Sequence, residues 1–134
     1  MQIKKIDTEN FPEVEAIASY HIGPTFYPPK PCPGVGAFED GMLVAYISLV
    51  SEYPGTYSIP SLATRHGYEG RGYLKALFQH IDITLNSPNL WLEVHPKNER
   101  AMKMYRNLGF HFVESKGTYP DGATMLLGER KWQN

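Results

Sequence analysis

Apolar positions recur along the chain at two spacings. Phe11, Val14, Ile17 and Ala18, with His21 behind them, fall at helical intervals. So do Leu74, Leu77, Phe78, Ile81 and Leu85, and again Ala101, Met104, Tyr105 and Leu108. Each set lays an apolar stripe along one side of an α-helix. Helices are therefore predicted over 11–22, 74–85 and 98–108. The shorter apolar or alternating runs at 2–6, 35–38, 42–51, 57–65, 90–94, 110–114 and 124–129 predict strands.

Turn and cap residues mark the joints. Asn10 is the expected N-cap of the first helix, with Glu13 completing a capping box. Gly23-Pro24 stops that helix, Asn86-Ser87-Pro88 stops the second, and Asn98 caps the third, which ends at Gly109. Asp40-Gly41 predicts a tight hairpin turn, because glycine takes the positive φ such turns need. Pro54-Gly55 and Tyr119-Pro120-Asp121-Gly122 predict two more turns. Pro60 inside the 57–65 run predicts a bulge or a break in pairing. The resulting order, strand–helix–two strands–strand–helix–strand–helix–two strands, implies an α/β fold with helices packed on a mixed sheet. Residues 24–34 hold five of the eleven prolines together with Phe26 and Tyr27. They read either as a plain connector or as the aromatic rim of a binding cleft.

Composition narrows the function classes. A chain of 134 residues with 42% hydrophobic and 20% charged residues is expected to form one domain, 1–134, around a real core. A formal net charge of −1 argues against nucleic acid as the main partner. The lone Cys32 leaves no intrachain disulfide. The opening MQIKKIDTENFP has no apolar run behind its lysines, and the apolar stretch at 42–50 is too short to span a bilayer. No membrane partner is expected, and the expected location is cytoplasmic. The histidines at 21, 66, 80, 95 and 111 show no ligand spacing, so no metal is expected. No G-x-S-x-G elbow occurs, and Cys32 sits among prolines without a neighbouring histidine, which argues against nucleophilic catalysis.

The chemistry concentrates in two places. Gly67-Tyr68-Glu69-Gly70-Arg71-Gly72 joins a strand to a helix N-terminus, where free backbone N–H groups favour an anion. The turn is not a P-loop, since Tyr73-Leu74 follows where Lys-Ser/Thr is required, and it lacks the complete G-x-G-x-x-G of a dinucleotide fold. Without further context it also reads as a tight strand-to-helix connection. The second place is LWLEVHPKNERAMKMYRNLGF, residues 90–110. Leu92-Glu93-Val94, Asn98, Ala101, Tyr105 and Gly109-Phe110 resemble one conserved motif of the GNAT family, the Gcn5-related N-acetyltransferases. LATRHGYEGRGYLKALF, residues 62–78, is similar to the family's other motif, a strand, a Q/R-x-x-G-x-G/A loop and a helix. The hairpin AFEDGMLVAYISL looks like the family's second and third strands. The resemblance covers about residues 35–130 in the family's order. The spacing of Glu93 to Tyr105 and the YPDGATML segment are also similar to ribosomal-protein N-terminal acetyltransferases.

The resemblance implies a GNAT-type, mostly antiparallel central sheet of about 6–7 strands flanked by about 3–4 helices. It implies transfer of an acetyl group from acetyl-CoA to a primary amine by direct attack in a ternary complex. Leu62, Ala63 and Thr64 would hold the pantetheine arm by sheet-like hydrogen bonds. Gly70, Arg71, Gly72, Tyr73, Leu74 and Lys75 would cradle the pyrophosphate, and Asn98 matches the family's CoA-contacting asparagine. Glu69 and Leu74 depart from the family pattern, which has Gln or Arg and a small residue there; Arg65, Arg71 and Lys75 are expected to offset the Glu69 charge. Tyr105 matches the acid that faces the CoA sulfur; its plain reading is core packing. Glu93 is the candidate base, directly or through water, with Glu52 and Tyr57 in reserve; its plain reading is an exposed sheet glutamate or a structural ion pair. Lys97, Arg100, Lys103 and Arg106 read as a solvated helix face or as contacts to the CoA 3′-phosphate. The alternative function is a non-catalytic acyl-CoA-binding or interaction module on the same fold. The amine acceptor and the oligomeric state have no readable code.

Overall fold

The computed structural model of the chain describes residues 1–21 and 30–131. The proline-rich stretch with Phe26 and Tyr27 therefore lies largely outside the described residues. Strand β1 is Gln2–Ile6, followed by a 3-10 turn at Thr8–Asn10 and helix α1 at Phe11–His21. Strands β2 (Gly34–Glu39), β3 (Met42–Ser48), β4 (Val50–Tyr53), β5 (Thr56–Ser58) and β6 (Leu62–Thr64) come next. Helix α2 (Tyr73–Thr84), β7 (Asn89–Val94), α3 (Glu99–Asn107), β8 (His111–Thr118) and β9 (Thr124–Arg130) complete the order.

Two sheets carry these strands, one in the order β1-β2-β3-β6 and the other β4-β5-β7-β9-β8. The α/β class and the largely antiparallel pairing agree with the sequence, since among the described residues only β5 and β7 run parallel. The partition into two sheets goes beyond it. The predicted strands at 42–51 and 57–65 form one long hairpin that passes from one sheet to the other. Ser48 N–H donates to the Ser61 carbonyl in the first sheet, while Val50 already pairs with Ser58 in the second. The crossing on the return strand falls at Ile59-Pro60-Ser61. Ile59 N–H donates to Trp91 of β7, and Ser61 bonds β3. Pro60 has no N–H and so gives up no donor in crossing.

Helices pack on both faces. Leu77, Phe78 and Ile81 of α2 and Met102 and Tyr105 of α3 share a core with Val44, Leu90, Leu92 and Val94. Val14, Ile17 and Ala18 of α1 meet Ile6, Phe38, Leu43 and Tyr46 in a second core. Each fully buried aliphatic or aromatic side chain stabilises by about 1.5–3 kcal/mol. The capping box at the first helix sits one turn earlier than the sequence predicts. Asp7 accepts from the Glu9 amide, and the Asn10 side chain accepts from the Asp7 amide. Glu13 is thereby released for a different task, accepting from the Leu43 amide and the Arg65 guanidinium. Arg65 also donates to the Leu43 carbonyl, so it braces α1 on the sheet rather than offsetting Glu69. The Asp40-Gly41 turn takes positive φ at both residues, 48° and 80°, the backbone of a type I′ hairpin.

Candidate active site

The site begins where the two sheets part. Arg65 N–H donates to Val44 and Ser61 accepts from Ser48, so the odd-numbered residues of β6 bond to β3. Backbone groups alternate along a strand. The amides and carbonyls of Leu62 and Thr64 therefore point away from β3, toward β7. The Trp91 carbonyl of β7 bonds Ile59 on that side. By the same alternation the Glu93 backbone faces the gap that opens once the chain has crossed at Pro60. Two strand edges thus face one another without pairing. On the β6 edge His21, at the end of α1, donates to the Thr64 carbonyl at 2.5 Å.

A cleft of about 640 Å³ opens beside the β6 edge and is lined by β6, the glycine turn, the first turn of α2 and the length of α3. Leu62, Ala63, Thr64, Gly70, Arg71, Gly72, Tyr73, Leu74, Lys75, Asn98 and Tyr105 all line it. His21, Tyr68, Arg100, Lys103 and Met104 line it as well. Arg100 and Lys103 were distinguishable on the α3 surface only as members of a cationic set. Their companions lie elsewhere, with Arg106 placed over the Phe112 ring at 5.4 Å. His21 carried no local signal, because its partner Thr64 is far away in sequence.

The glycine turn is built for close approach. Gly67, Gly70 and Gly72 all have positive φ, and Gly72 is the N-cap of α2 at φ 82° and ψ 14°. The first intrahelical bond runs from Ala76 N–H to the Gly72 carbonyl, so the amides of Tyr73, Leu74 and Lys75 have no partner within the helix. Glu69 does not project into this cradle. Its carboxylate folds back on the turn, accepting from the Gly67 amide at 3.0 Å. Hydrogen bonding to its own amide, then to that of Gly67, holds its carboxyl below the usual range, aided by nearby His66 and His21. Arg71 spans the turn, donating to the Gly67 carbonyl and lying over the Tyr68 ring at 4.8 Å. Arg71, Lys75, Arg100 and Lys103 give the cleft a cationic lining against the one carboxylate of Glu69. Asn98 caps α3 by accepting from the Ala101 amide at 3.2 Å.

Tyr105 sits at the inner end, 7% exposed, with its ring against Phe110 and Phe112 at 5.7 and 6.4 Å. Burial pushes its phenol up to about 12. Among the described residues no hydrogen-bond partner meets its hydroxyl. Glu93 does not line the cleft. Its neighbours Leu92 and Val94 are buried under α2 and α3, so strand alternation turns Glu93 to the opposite, exposed face of β7. It is close enough there to Tyr119 to raise that phenol, after burial itself, through its negative charge. Tyr105 and Glu93 therefore flank the gap from its two sides. Of the reserves, Glu52 is taken up by the Ser58 hydroxyl at 2.7 Å. Tyr57 packs against the main core. The cleft lining contains no cysteine or serine among the described residues. Cys32 is partly buried and does not line the cleft.

The acetyltransferase (GNAT) family model matches residues 1–110. The peptidyl-lysine N-acetyltransferase YiaC of Escherichia coli (strain K12) is 34% identical over 77 residues, 57% of this chain and 48% of that protein. The N-alpha-acetyltransferase RimI of Mycobacterium tuberculosis is 31% identical over 88 residues, 63% of this chain and 56% of that protein. The chain thus spans about half the length of these curated relatives. Among solved structures, the PaiA N-acetyltransferase of Thermoplasma acidophilum in complex with coenzyme A superposes with a TM-score of 0.73 at 16% identity, covering 98% of this chain and all of that one. The ribosomal-protein-S18-alanine N-acetyltransferase of Escherichia coli gives 0.73 at 18% identity, covering 96% and 92%. At these identities the structural likeness is one of fold. No helix among the described residues is long and apolar enough to cross a membrane.

Proposed function

We propose, since the chain belongs to the acetyltransferase (GNAT) family, that it transfers the acetyl group of acetyl-CoA directly to a primary amine within a ternary complex. The observation that carries this reading is the cleft beside the unpaired β6 edge, whose lining joins that edge to an amide-rich, cationic turn and to Tyr105 of α3. An extended ligand with amides in its middle and phosphates at one end matches both parts. The edge groups of Leu62 and the Thr64 amide suit the amides, and Gly70 to Lys75 suit the phosphates. A cleft of about 640 Å³ is within the range of cofactor sites. The lack of a cysteine or serine in its described lining supports transfer without an acyl-enzyme.

The residues divide the proton handling. An ammonium acceptor has no lone pair, so it gives one proton to Glu93, directly or through water, before its nitrogen attacks the thioester carbon; the second proton, shed from nitrogen as the C–N bond forms, passes to water. As the C–S bond breaks, the sulfur gains negative charge. Tyr105, which lines the cleft, is the residue assigned to meet it. A phenol near 12 is a weaker acid than a thiol near 8.5, so Tyr105 stabilises the leaving thiolate by hydrogen bonding and keeps its proton on average. The acceptor reading is a peptide α-amine or a lysine side chain, the classes named by the two curated relatives, with small amines as a further class.

Binding is tested by thermal shift. At about a hundredfold excess over Kd, acetyl-CoA and CoA should each stabilise the protein by about 2.7 kcal/mol, a shift of several degrees. No shift with either would end this reading. A shift with no acetylated product across α-amine, lysine and small-amine acceptors would instead support the binding-module alternative, which the Glu69 departure favours. Glu93→Gln should lower kcat about a hundredfold near neutral pH and recover at alkaline pH, where the acceptor loses its proton unaided. A variant whose alkaline-rising limb stays at the wild-type pH, with no loss near neutrality, removes Glu93 as the base.

A further inference from the structure

The hairpin joining β8 to β9 runs past the end of β7. The β7–β9 pairing stops at Val94 opposite Leu126, and the β8–β9 register slips between Glu114 and Thr118. The turn at Tyr119–Gly122 is held internally. Tyr119 N–H donates to the Ala123 carbonyl, Gly122 N–H donates to the Tyr119 carbonyl, and Asp121 accepts from the Ala123 amide. None of these bonds ties the turn to β7. His95, the first residue after β7, makes that connection. Its Nε2 lies 2.7 Å from the second Asp121 oxygen, and its ring lies against Tyr119 with centroids 4.7 Å apart.

The roles of the two imidazole nitrogens follow from what they touch. Nδ1 accepts the Lys97 amide proton at 3.0 Å, so its lone pair is occupied. Nε2 then carries the proton and donates to Asp121. Neither nitrogen is free to take a proton from an incoming amine, so His95 is not a second base. What it can do is set position. Its amide anchor belongs to the same short segment that ends in Asn98, the cap of α3 and a cleft residue, because Asn98 N–H donates to the His95 carbonyl. Its outer nitrogen holds the turn that brings Tyr119 beside Glu93.

We propose that His95 is a positioning residue of the acceptor site: it fixes the Tyr119–Gly122 turn against the exposed face of β7 and so sets the wall along which the amine reaches Glu93 and the gap. This rests on the acetyl-transfer reading above. The charged groups around the contact are Asp121, Glu93 and Lys97, and Asp121 is held below the usual carboxylate range first by the Ala123 amide and then by His95.

The test compares wild type, His95→Ala and Asp121→Asn in the whole chain. Asp121→Asn keeps an oxygen for the Ala123 amide and turns an NH2 group toward His95. The probes are acetyl-CoA with a short peptide bearing a free α-amine, and separately an α-blocked peptide bearing one lysine. Both variants should raise the acceptor KM or lower the acceptor kcat/KM by about ten- to a hundredfold while leaving the acetyl-CoA KM within about twofold. Hydrogen exchange at 119–123 should quicken in both, with α2 and α3 unchanged. The double variant should be no worse than either alone. Unchanged exchange at the turn, or equal losses for acceptor and acetyl-CoA, would overturn the proposal. If the wild type binds acetyl-CoA but acetylates neither peptide, the fault lies with the transfer reading, and unchanged exchange still refutes the positioning role by itself.

Discussion

Tyr105→Phe is expected to lower kcat about a hundredfold while leaving acetyl-CoA binding as it is. The hydroxyl is the only group removed, and it has no partner among the described residues, so the ring keeps its packing on Phe110 and Phe112. Loss of a donor to a departing thiolate costs on the order of 10²-fold or more in rate. Steady-state kinetics combined with a thermal shift on acetyl-CoA separates the two effects, and a fully active variant would refute the role. The same phenol makes a prediction about stability. An unfolded tyrosine ionises near 10, whereas the folded Tyr105 holds its proton to about 12. Its contribution is thus fully present below pH 10 and is lost as the pH rises toward 12. That loss is about 2–3 kcal/mol, and Tyr105→Phe should not show it. It also follows that the pH limbs of the rate near neutrality belong to other groups.

Gly34→Ala is expected to be the most damaging single change to the fold. A Cβ on Gly34 would lie 1.9 Å from the Ile47 carbonyl oxygen and 2.8 Å from the Ser48 Cα. Both are backbone atoms of β3, and neither can turn aside as a side chain does. Overpacking against side chains costs about 1–3 kcal/mol, so a backbone clash in paired strands should exceed it, about 3–5 kcal/mol. That is a large part of an ordinary domain stability of about 5–15 kcal/mol. The damage would fall where β3 passes into β4, since Leu49 N–H bonds the Pro33 carbonyl next door. Thermal or denaturant unfolding gives the answer, and a loss under about 1 kcal/mol would contradict the packing described.

What the sequence made legible was local. The stripe of Leu77, Phe78 and Ile81 marked α2, Asn98 marked the start of α3, and Asp40-Gly41 marked its hairpin, because each depends on neighbours within a few residues. Pro60 announced an interruption but not its consequence. Whether a strand breaks or changes sheets depends on partners such as Ser48 and Trp91, which are distant in the chain. The expected Asn10 cap differs by one turn because a 3-10 turn at Thr8–Asn10 precedes the helix: Asp7 caps that turn, and Asn10, with a similar side chain, serves as its capping-box partner. The cleft-lining residues between Leu62 and Lys75 stand in the sequence as one contiguous motif. The bond from His95 to Asp121 and that from His21 to Thr64 span 26 and 43 residues, and no spacing rule reaches that far.

The crossing at Ile59-Pro60-Ser61 has one more consequence. A β-sheet ordinarily zips until its strands run out, and β6 and β7 have edges that would suit one another. Because the long hairpin is committed to β3 on one side of the proline and to β7 on the other, that zipper is stopped partway and held open by the rest of the fold. Under the proposed acetyl-CoA reading, the ligand would act as a surrogate strand and supply a backbone-like rhythm of amides. Recognition at the middle would then be indifferent to side chains, and selectivity would lie with the two ends, the cationic turn and the proposed His95-anchored hairpin, which could change without disturbing the stalled zipper between them.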